Sequence, residues 1–268
     1  MQSSLSPAIH NAAFRAVEIN AEYLAFGVEA GELGSFIRKA LDEAMIGLNV
    51  TMPHKVAAMG FMDDLSTAAR STGAINAIEI NKEKLVGHNT DGEGLLRFIE
   101  GDLGTKVDGR SALILGSGGA ARSVAWSLAR AGAKRVTVAA RDPSKGAQLV
   151  EVVASVPFLA INLTALTRDV VAAADLIVNA TPCGQAGEEG LVSLAGAPRH
   201  MLVIDLVYRP AVTRLVSEAR AIGLVAHGGL GMLVHQAALS FEIWTGIPAP
   251  LKVMYEAAGL KRPFESAE

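Results

Sequence analysis

A chain of 268 residues, half of them hydrophobic and 19% charged, holds enough apolar material for one large or two modest cores, which excludes a disordered chain. A net charge of −3 with no basic run argues against a nucleic-acid or membrane-surface partner. The single cysteine, Cys183, excludes an intrachain disulfide framework and suggests a reducing cytoplasm; no apolar run approaches the roughly 18 residues that span a bilayer, and the first residues lack the charged head and apolar core of a signal peptide.

In chain order, residues 3–7 read as a polar loop, and Pro7 suits a helix start, where its missing N–H costs nothing. A helix through Ile9, Phe14 and Val17 is predicted, then a strand over 23–28. Residues 33–44 read as an amphipathic helix with Leu33, Phe36, Ile37, Ala40 and Leu41 inward. A strand over 46–50 runs into Thr51-Met52-Pro53-His54-Lys55, and a helix is expected after Pro53. Residues 75–80 and 84–87 form a predicted hairpin around Asn81-Lys82. His88-Asn89-Thr90-Asp91-Gly92 follows, a polar run at a strand end. From Glu93 a helix leads into a turn-rich linker over 101–109.

Residues 112–115 suffice for one buried strand. Gly116, Gly118 and Gly119 then bunch together, Ala121 follows, and Val124, Leu128 and Ala131 recur at helical spacing. The result is G-x-G-x-x-A between a strand and a helix. Gly116 suits the tight turn, Gly118 lets a pyrophosphate approach the backbone, and small Ala121 lets the helix pack on the strand. The free N–H groups of the helix start face the anion. A structural turn with no ligand is the alternative.

The next strand, 135–139, runs into Ala140-Arg141-Asp142-Pro143-Ser144-Lys145. No carboxylate ends that strand to hold a ribose 2′-hydroxyl, whereas Arg141 and Lys145 suit a 2′-phosphate and hence NADP. Asp142, one residue late, is the contrary signal, and a solvated loop is the alternative. Downstream, a helix is predicted over 144–153, strands over 158–162, 174–179 and 201–206, a helix over 213–222 and a brief strand over 224–226. The run Gly228-Gly229-Leu230-Gly231-Met232 breaks the pattern before helices over 233–244 and 250–258, and the tail from Lys261 reads as frayed. Strands alternating with helices predict an α/β fold with a parallel, doubly wound sheet. Ligands collect beyond the carboxyl ends of such strands, where Asn179, Thr181, Asp205 and Tyr208 fall.

Two ionisable groups sit where a strand gives way to a loop: Lys55 and Asp91. Converging on one cleft, they would form a pair able to hold a substrate hydroxyl and move its proton. Read alone, Lys55 is a surface lysine and Asp91 an N-cap for the helix after it. His10, His54, His88, His200, His227 and His235 show no metal-ligand spacing and read as surface or packing residues, so no metal is expected.

Several motifs bear on function together. Ser4-Leu5-Ser6-Pro7-Ala8-Ile9-His10-Asn11 resembles the S-x-S-P-x-x-H-N segment of the shikimate dehydrogenase family. Residues 49–55, NVTMPHK, resemble its N-V-T-x-P-x-K, and GAIN at 73–76 and NTDG at 89–92 are also similar. The glycine loop at 116–121, Asn179-Ala180-Thr181, and GLGMLVHQ at 229–236 complete the match in the family's order. The resemblance implies reduction of 3-dehydroshikimate by NADPH, with Lys55 and Asp91 as the catalytic pair. It implies Ser4 and Ser6 at the substrate carboxylate, Thr51, Asn76 and Gln236 at ring hydroxyls, and Tyr208 over the substrate. On the cofactor side it implies Gly116, Ser117, Gly118, Gly119, Ala120 and Ala121 at the pyrophosphate and Arg141 with Lys145 at the 2′-phosphate. Thr181, Gly229 and Met232 would complete the cofactor site, the last two at its nicotinamide end.

The expected organisation is an N-terminal α/β substrate domain over 1–92, completed by helices at 233–268, and a Rossmann-type NADP-binding domain over 93–232, with a cleft between them. A homodimer in the cytoplasm, with small-molecule ligands only, is the expected setting. The family's strand-forming segment ahead of the serines has no counterpart, so either a start shortened relative to the family or a gap in the first sheet is expected. Ala140 and Pro182 depart from the family's usual Asn and Ser. The rivals are a quinate/shikimate dehydrogenase using NAD and an inactive cofactor-binding relative.

Overall fold

The computed structural model describes residues 4–82, 84–150, 153, 155–186 and 190–261. They form two compact units, Met1–Phe98 with Leu233–Glu268, and Ile99–Met232.

The first unit opens with α1 (Ser6–Ala16), with Pro7 in its first turn. Its Ile9, Ala13 and Phe14 join Phe241, Met254 and Tyr255 in one core cluster. A 3₁₀ turn (Ala30–Glu32) leads into α2 (Leu33–Asp42), which buries Leu33, Ile37 and Ala40 and leaves Phe36 and Leu41 half-buried. Then come β1 (Gly47–Asn49), β2 (Asp64–Leu65), α3 (Thr67–Thr72), β3 (Ala77–Asn81) and β4 (Lys84–His88). Their sheet order is β1-β3-β4-β2: β3 is antiparallel to both neighbours, and β2 runs parallel to β4. Ile37, Ile75, Ile78 and Leu85 fill the core beneath this sheet. Helix α4 (Asp91–Leu96) and a π-helical stretch (Arg97–Asp102) carry the chain out of this unit.

Two predictions for this unit are corrected. The segment expected as a strand at 23–28 forms no regular element and pairs with no strand among the described residues. Side chains take the partner's place: the Asn11 amide donates to Tyr23 O and accepts from Tyr23 N, and the His54 ring meets Val28 O at 2.8 Å. The segment after Pro53 forms turns and a 3₁₀ helix (Ala57–Phe61), not an α-helix. Two short elements, β2 and α3, had no counterpart among the predicted ones; Ser66 caps α3, and Gly73 ends it in the left-handed region.

The second unit alternates β5 (Ser111–Leu115), α5 (Gly119–Arg130), β6 (Arg135–Ala140), α6 (Pro143–Ala147), β7 (Phe158–Asn162), α7 (Arg168–Ala172), β8 (Leu176–Asn179), β9 (Leu202–Asp205), α8 (Arg214–Ala221) and β10 (Val225–His227). All six strands are parallel, in the order β10-β9-β8-β5-β6-β7. The chain winds outward one way from β5 and the other way from β8, so the switch point lies where β5 and β8 end. These strands are buried on both faces, hence their unbroken apolar runs; Leu113, Ile114, Leu115, Ile177 and Val178 are at most 1% exposed. The helix expected over 144–153 stops at Ala147 and continues as a 3₁₀ turn (Gln148–Val150); residues 151 and 152 lie outside the described residues, as does the tail past Lys261. Helix α9 (Leu230–Thr245) starts at Leu230 instead of 233, because Gly231 is accommodated in its first turn, and α10 (Leu251–Ala257) follows.

Candidate functional site

In the first unit, Lys55 lies on the turn after β1, and Asp91 is the first residue of α4. The Lys55 ammonium donates to Asp91 Oδ2 at 2.5 Å, with the two side chains 19% and 9% exposed. Ile75 N donates to Lys55 O at 2.9 Å, which pins the lysine turn to the approach of β3. Asp91 does not cap α4: Thr90 holds the cap position, and the second carboxylate oxygen, Oδ1, accepts from Asn76 Nδ2 at 2.9 Å. The Asn76 amide also meets Thr90 Oγ1 at 2.8 Å and Gln236 Oε1 at 3.2 Å, while its oxygen accepts from Thr90 N at 2.7 Å. Asn89 accepts from Asp91 N and donates to Thr72 Oγ1 and Ala74 O. Both oxygens of Asp91 are thus engaged. Lys55 has no other side-chain partner among the described residues, so two of its N–H groups are available to an incoming oxygen.

Lys55, Asp91, Asn76 and Gln236 are therefore brought into one hydrogen-bonded group. Ser4, Ser6 and Thr51 make no hydrogen bond to it among the described residues. Ser4 Oγ accepts from Ser6 N at 3.3 Å, and both Ser4 and Thr51 are exposed. Ser6 lies beside the Tyr23 hydroxyl, whose pKa burial pushes up to about 12 against the opposing Ser6 bond. Tyr23 donates to Asn49 Oδ1, and the Asn49 amide donates to Asn76 O and Ser240 Oγ, each at 3.0 Å. Asn49 carried no role in the sequence reading. Its presence in a polar N-V-T run at a strand end was the available signal.

In the second unit, Gly116 leaves β5 at φ +110°, which a side chain would strain, and a Cβ there would stand 3.0 Å from Thr181 Cγ2. Ser117, Gly119 and Ala120 are half-buried and Ala121 is fully buried. Gly118 holds the cap position of α5 without a side-chain cap, and a Cβ there would meet nothing within 4 Å. The start of α5 therefore offers unpaired N–H groups with open room above them, which fits a pyrophosphate. Arg141 and Lys145 are both exposed just past β6. Asp142, the contrary signal, turns away to its own helix: it caps α6, accepting from Ser144 N at 3.0 Å and Ser144 Oγ at 2.6 Å, bonds that hold its pKa below the usual carboxylate value. With the carboxylate so occupied and two cations beside it, the loop fits a 2′-phosphate better than a free ribose hydroxyl.

Thr181 is held by Asn179, whose oxygen accepts from Thr181 N at 3.0 Å and Thr181 Oγ1 at 2.7 Å. Tyr208 is half-buried on the loop after β9. Gly229 N donates to Val207 O at 3.0 Å, and Met232, 8% exposed, lies in the first turn of α9. Within this unit Thr181, Tyr208 and Gly229 thus stand on loops tied to the ends of β8 and β9.

Three family models match the chain: the shikimate dehydrogenase substrate binding domain at residues 1–78, shikimate / quinate 5-dehydrogenase at 100–225, and the shikimate 5′-dehydrogenase C-terminal domain at 229–258. The chain is 41% identical over 264 residues to a shikimate dehydrogenase (NADP(+)) of Methanopyrus kandleri, covering 96% of this chain and 91% of that protein. It resembles the crystal structure of shikimate 5-dehydrogenase from Thermus thermophilus in complex with NADP(H) and shikimate, at a TM-score of 0.86 and 35% identity, with 96% of this chain and 94% of that one covered. It also resembles quinate dehydrogenase from Corynebacterium glutamicum in complex with NAD, at a TM-score of 0.87 and 31% identity, with 95% and 94% covered.

Proposed function

Since the chain belongs to the shikimate dehydrogenase family, we propose that it catalyses the reversible NADPH-dependent reduction of 3-dehydroshikimate to shikimate, a step of aromatic amino-acid biosynthesis. The Lys55–Asp91 contact at 2.5 Å, tied to Asn76, carries this reading. Bound NADPH supplies the hydride that reduces the substrate's carbonyl carbon. This chain's residues manage the oxygen. One free N–H of Lys55 donates to the carbonyl oxygen and passes it a proton as negative charge develops there; in the reverse direction the amine takes the proton back. Asp91 fixes the ammonium by accepting one of its N–H groups in a charge-assisted bond. Asn76 and Gln236 hold ring hydroxyls, with Thr51 as a further donor. Ser4 and Ser6 receive the carboxylate through neutral hydroxyls, and Tyr208 is a further substrate contact. Gly116 to Ala121 with Thr181, Gly229 and Met232 hold the dinucleotide, and Arg141 with Lys145 its 2′-phosphate.

A reducing cytoplasm suits the single cysteine, and a homodimer is the proposed assembly, checked by light scattering on the eluting protein. No helix among the described residues is long and apolar enough to cross a membrane. The function is tested by initial rates on shikimate and on quinate, each with NADP and with NAD. The fastest rate with shikimate and NADP supports it. A faster rate with quinate and NAD makes the protein a quinate dehydrogenase, and NADP binding without turnover of either acid makes it a cofactor-binding relative.

A further inference from the structure

Asp205 ends β9 with no exposed surface and, among the described residues, accepts only from neutral donors. Oδ1 accepts from Asn179 Nδ2 at 2.9 Å and from Val207 N at 3.0 Å, and Oδ2 accepts from Thr213 Oγ1 at 2.6 Å. Burial without a cation is costly, and here it raises the carboxyl's pKa. An asparagine would keep both bonds at Oδ1 and turn its NH₂ to Thr213 Oγ1, whose lone pairs can accept, so only an apolar residue such as leucine removes all three links. Each bond reaches a different segment. Asn179 passes the link to Thr181, whose N and Oγ1 both donate to Asn179 Oδ1. Val207 precedes Tyr208, and Val207 O accepts from Gly229 N. Thr213 caps α8.

We propose that Asp205 is a positioning residue for this enzyme: one buried carboxylate sets the Thr181 and Gly229 loops in the geometry that binds the dinucleotide and holds the adjoining Tyr208 loop for the substrate. The assignment of those loops rests on the function proposed above. The test compares wild type, Asp205→Leu, Asn179→Ser and Thr213→Val for NADP dissociation constant by titration calorimetry, KM for NADP, kcat and melting temperature, all well below melting. Asp205→Leu, which removes all three acceptors, is expected to weaken NADP binding by about tenfold or more, with a larger rise in KM than fall in kcat. Asn179→Ser, which cuts the Thr181 arm together with the Asn179 bond to Cys183 O and leaves the Val207 arm in place, is expected to weaken NADP binding as well. Thr213→Val, on the arm leading away from the cofactor loops, is expected to lower melting temperature and leave NADP affinity within about twofold. A folded Asp205→Leu protein with wild-type NADP affinity overturns the proposal; if that variant does not fold, Asn179→Ser with wild-type affinity overturns it. Wild-type turnover of shikimate is scored separately, so its absence would remove the functional reading without touching the binding result.

Discussion

His10 is fully buried on α1 and stacks on Tyr23 with ring centroids 4.5 Å apart and 4° between planes. Neither ring nitrogen has a hydrogen-bond partner among the described residues. Burial therefore pushes its pKa from 6.5 down to about 3, a shift the nearby Asn49 side chain only partly offsets. Because the folded value is the lower one, the unfolded chain takes up the proton first as pH falls. The contribution to stability is complete above pH 6.5 and is lost toward pH 3, by about 1.4 kcal/mol per pH unit. Chemical denaturation of wild type and His10→Phe across that window should show the slope in wild type and a shallower one in the variant; parallel curves would mean that His10 is not the group responsible. At the cofactor loop, Arg141→Ala is expected to raise KM for NADP by about ten- to hundredfold while leaving KM for NAD near wild type, since only NADP carries the 2′-phosphate that the guanidinium is proposed to hold. Equal losses with both cofactors would place Arg141 elsewhere. Sequence alone identified Lys55 and Asp91 as candidates but could not choose between a pair and two solvated or capping residues. That choice depends on a contact across 36 positions, and the Asn49–Ser240 bond that helps support it spans 191.

The approach of α9 to α4 fixes Gln236 beside Asn76. Gly94 permits it: a Cβ there would stand 2.8 Å from Gln236 N, so the backbone itself would have to move. Gly94→Ala is expected to cost about 1–3 kcal/mol in stability and to raise KM for shikimate more than KM for NADP. A variant as stable as wild type with unchanged KM would show that the two helices are free to shift. Element legibility followed burial. The parallel strands β5, β8 and β9 were readable because both faces are covered and the apolar runs are continuous. The segment at 23–28 has the composition of a strand, yet the ladder partner that would make it one is replaced by Asn11 and His54 side chains, which no local pattern encodes. The short β2 and α3 carry too few residues for a period to show.

Across the whole molecule, the chain divides its chemistry between two units. The groups proposed to handle the proton, Lys55 and Asp91, lie in Met1–Phe98 with Leu233–Glu268, and the glycine loop with Arg141 and Lys145 lies in Ile99–Met232. The strand order of the second unit puts its switch point where β5 and β8 end, at the Gly116 turn and the Asn179–Thr181 loop. That order was anticipated only as a parallel doubly wound class, because sequence does not state which strands are neighbours. The division of labour predicts that chemistry and cofactor binding can be separated by mutation. The most direct measurement is kcat of Lys55→Ala with shikimate and NADP, alongside its NADP dissociation constant. The account predicts kcat lower by about 100-fold or more with NADP affinity within about twofold of wild type. A near-wild-type kcat for that variant would contradict it.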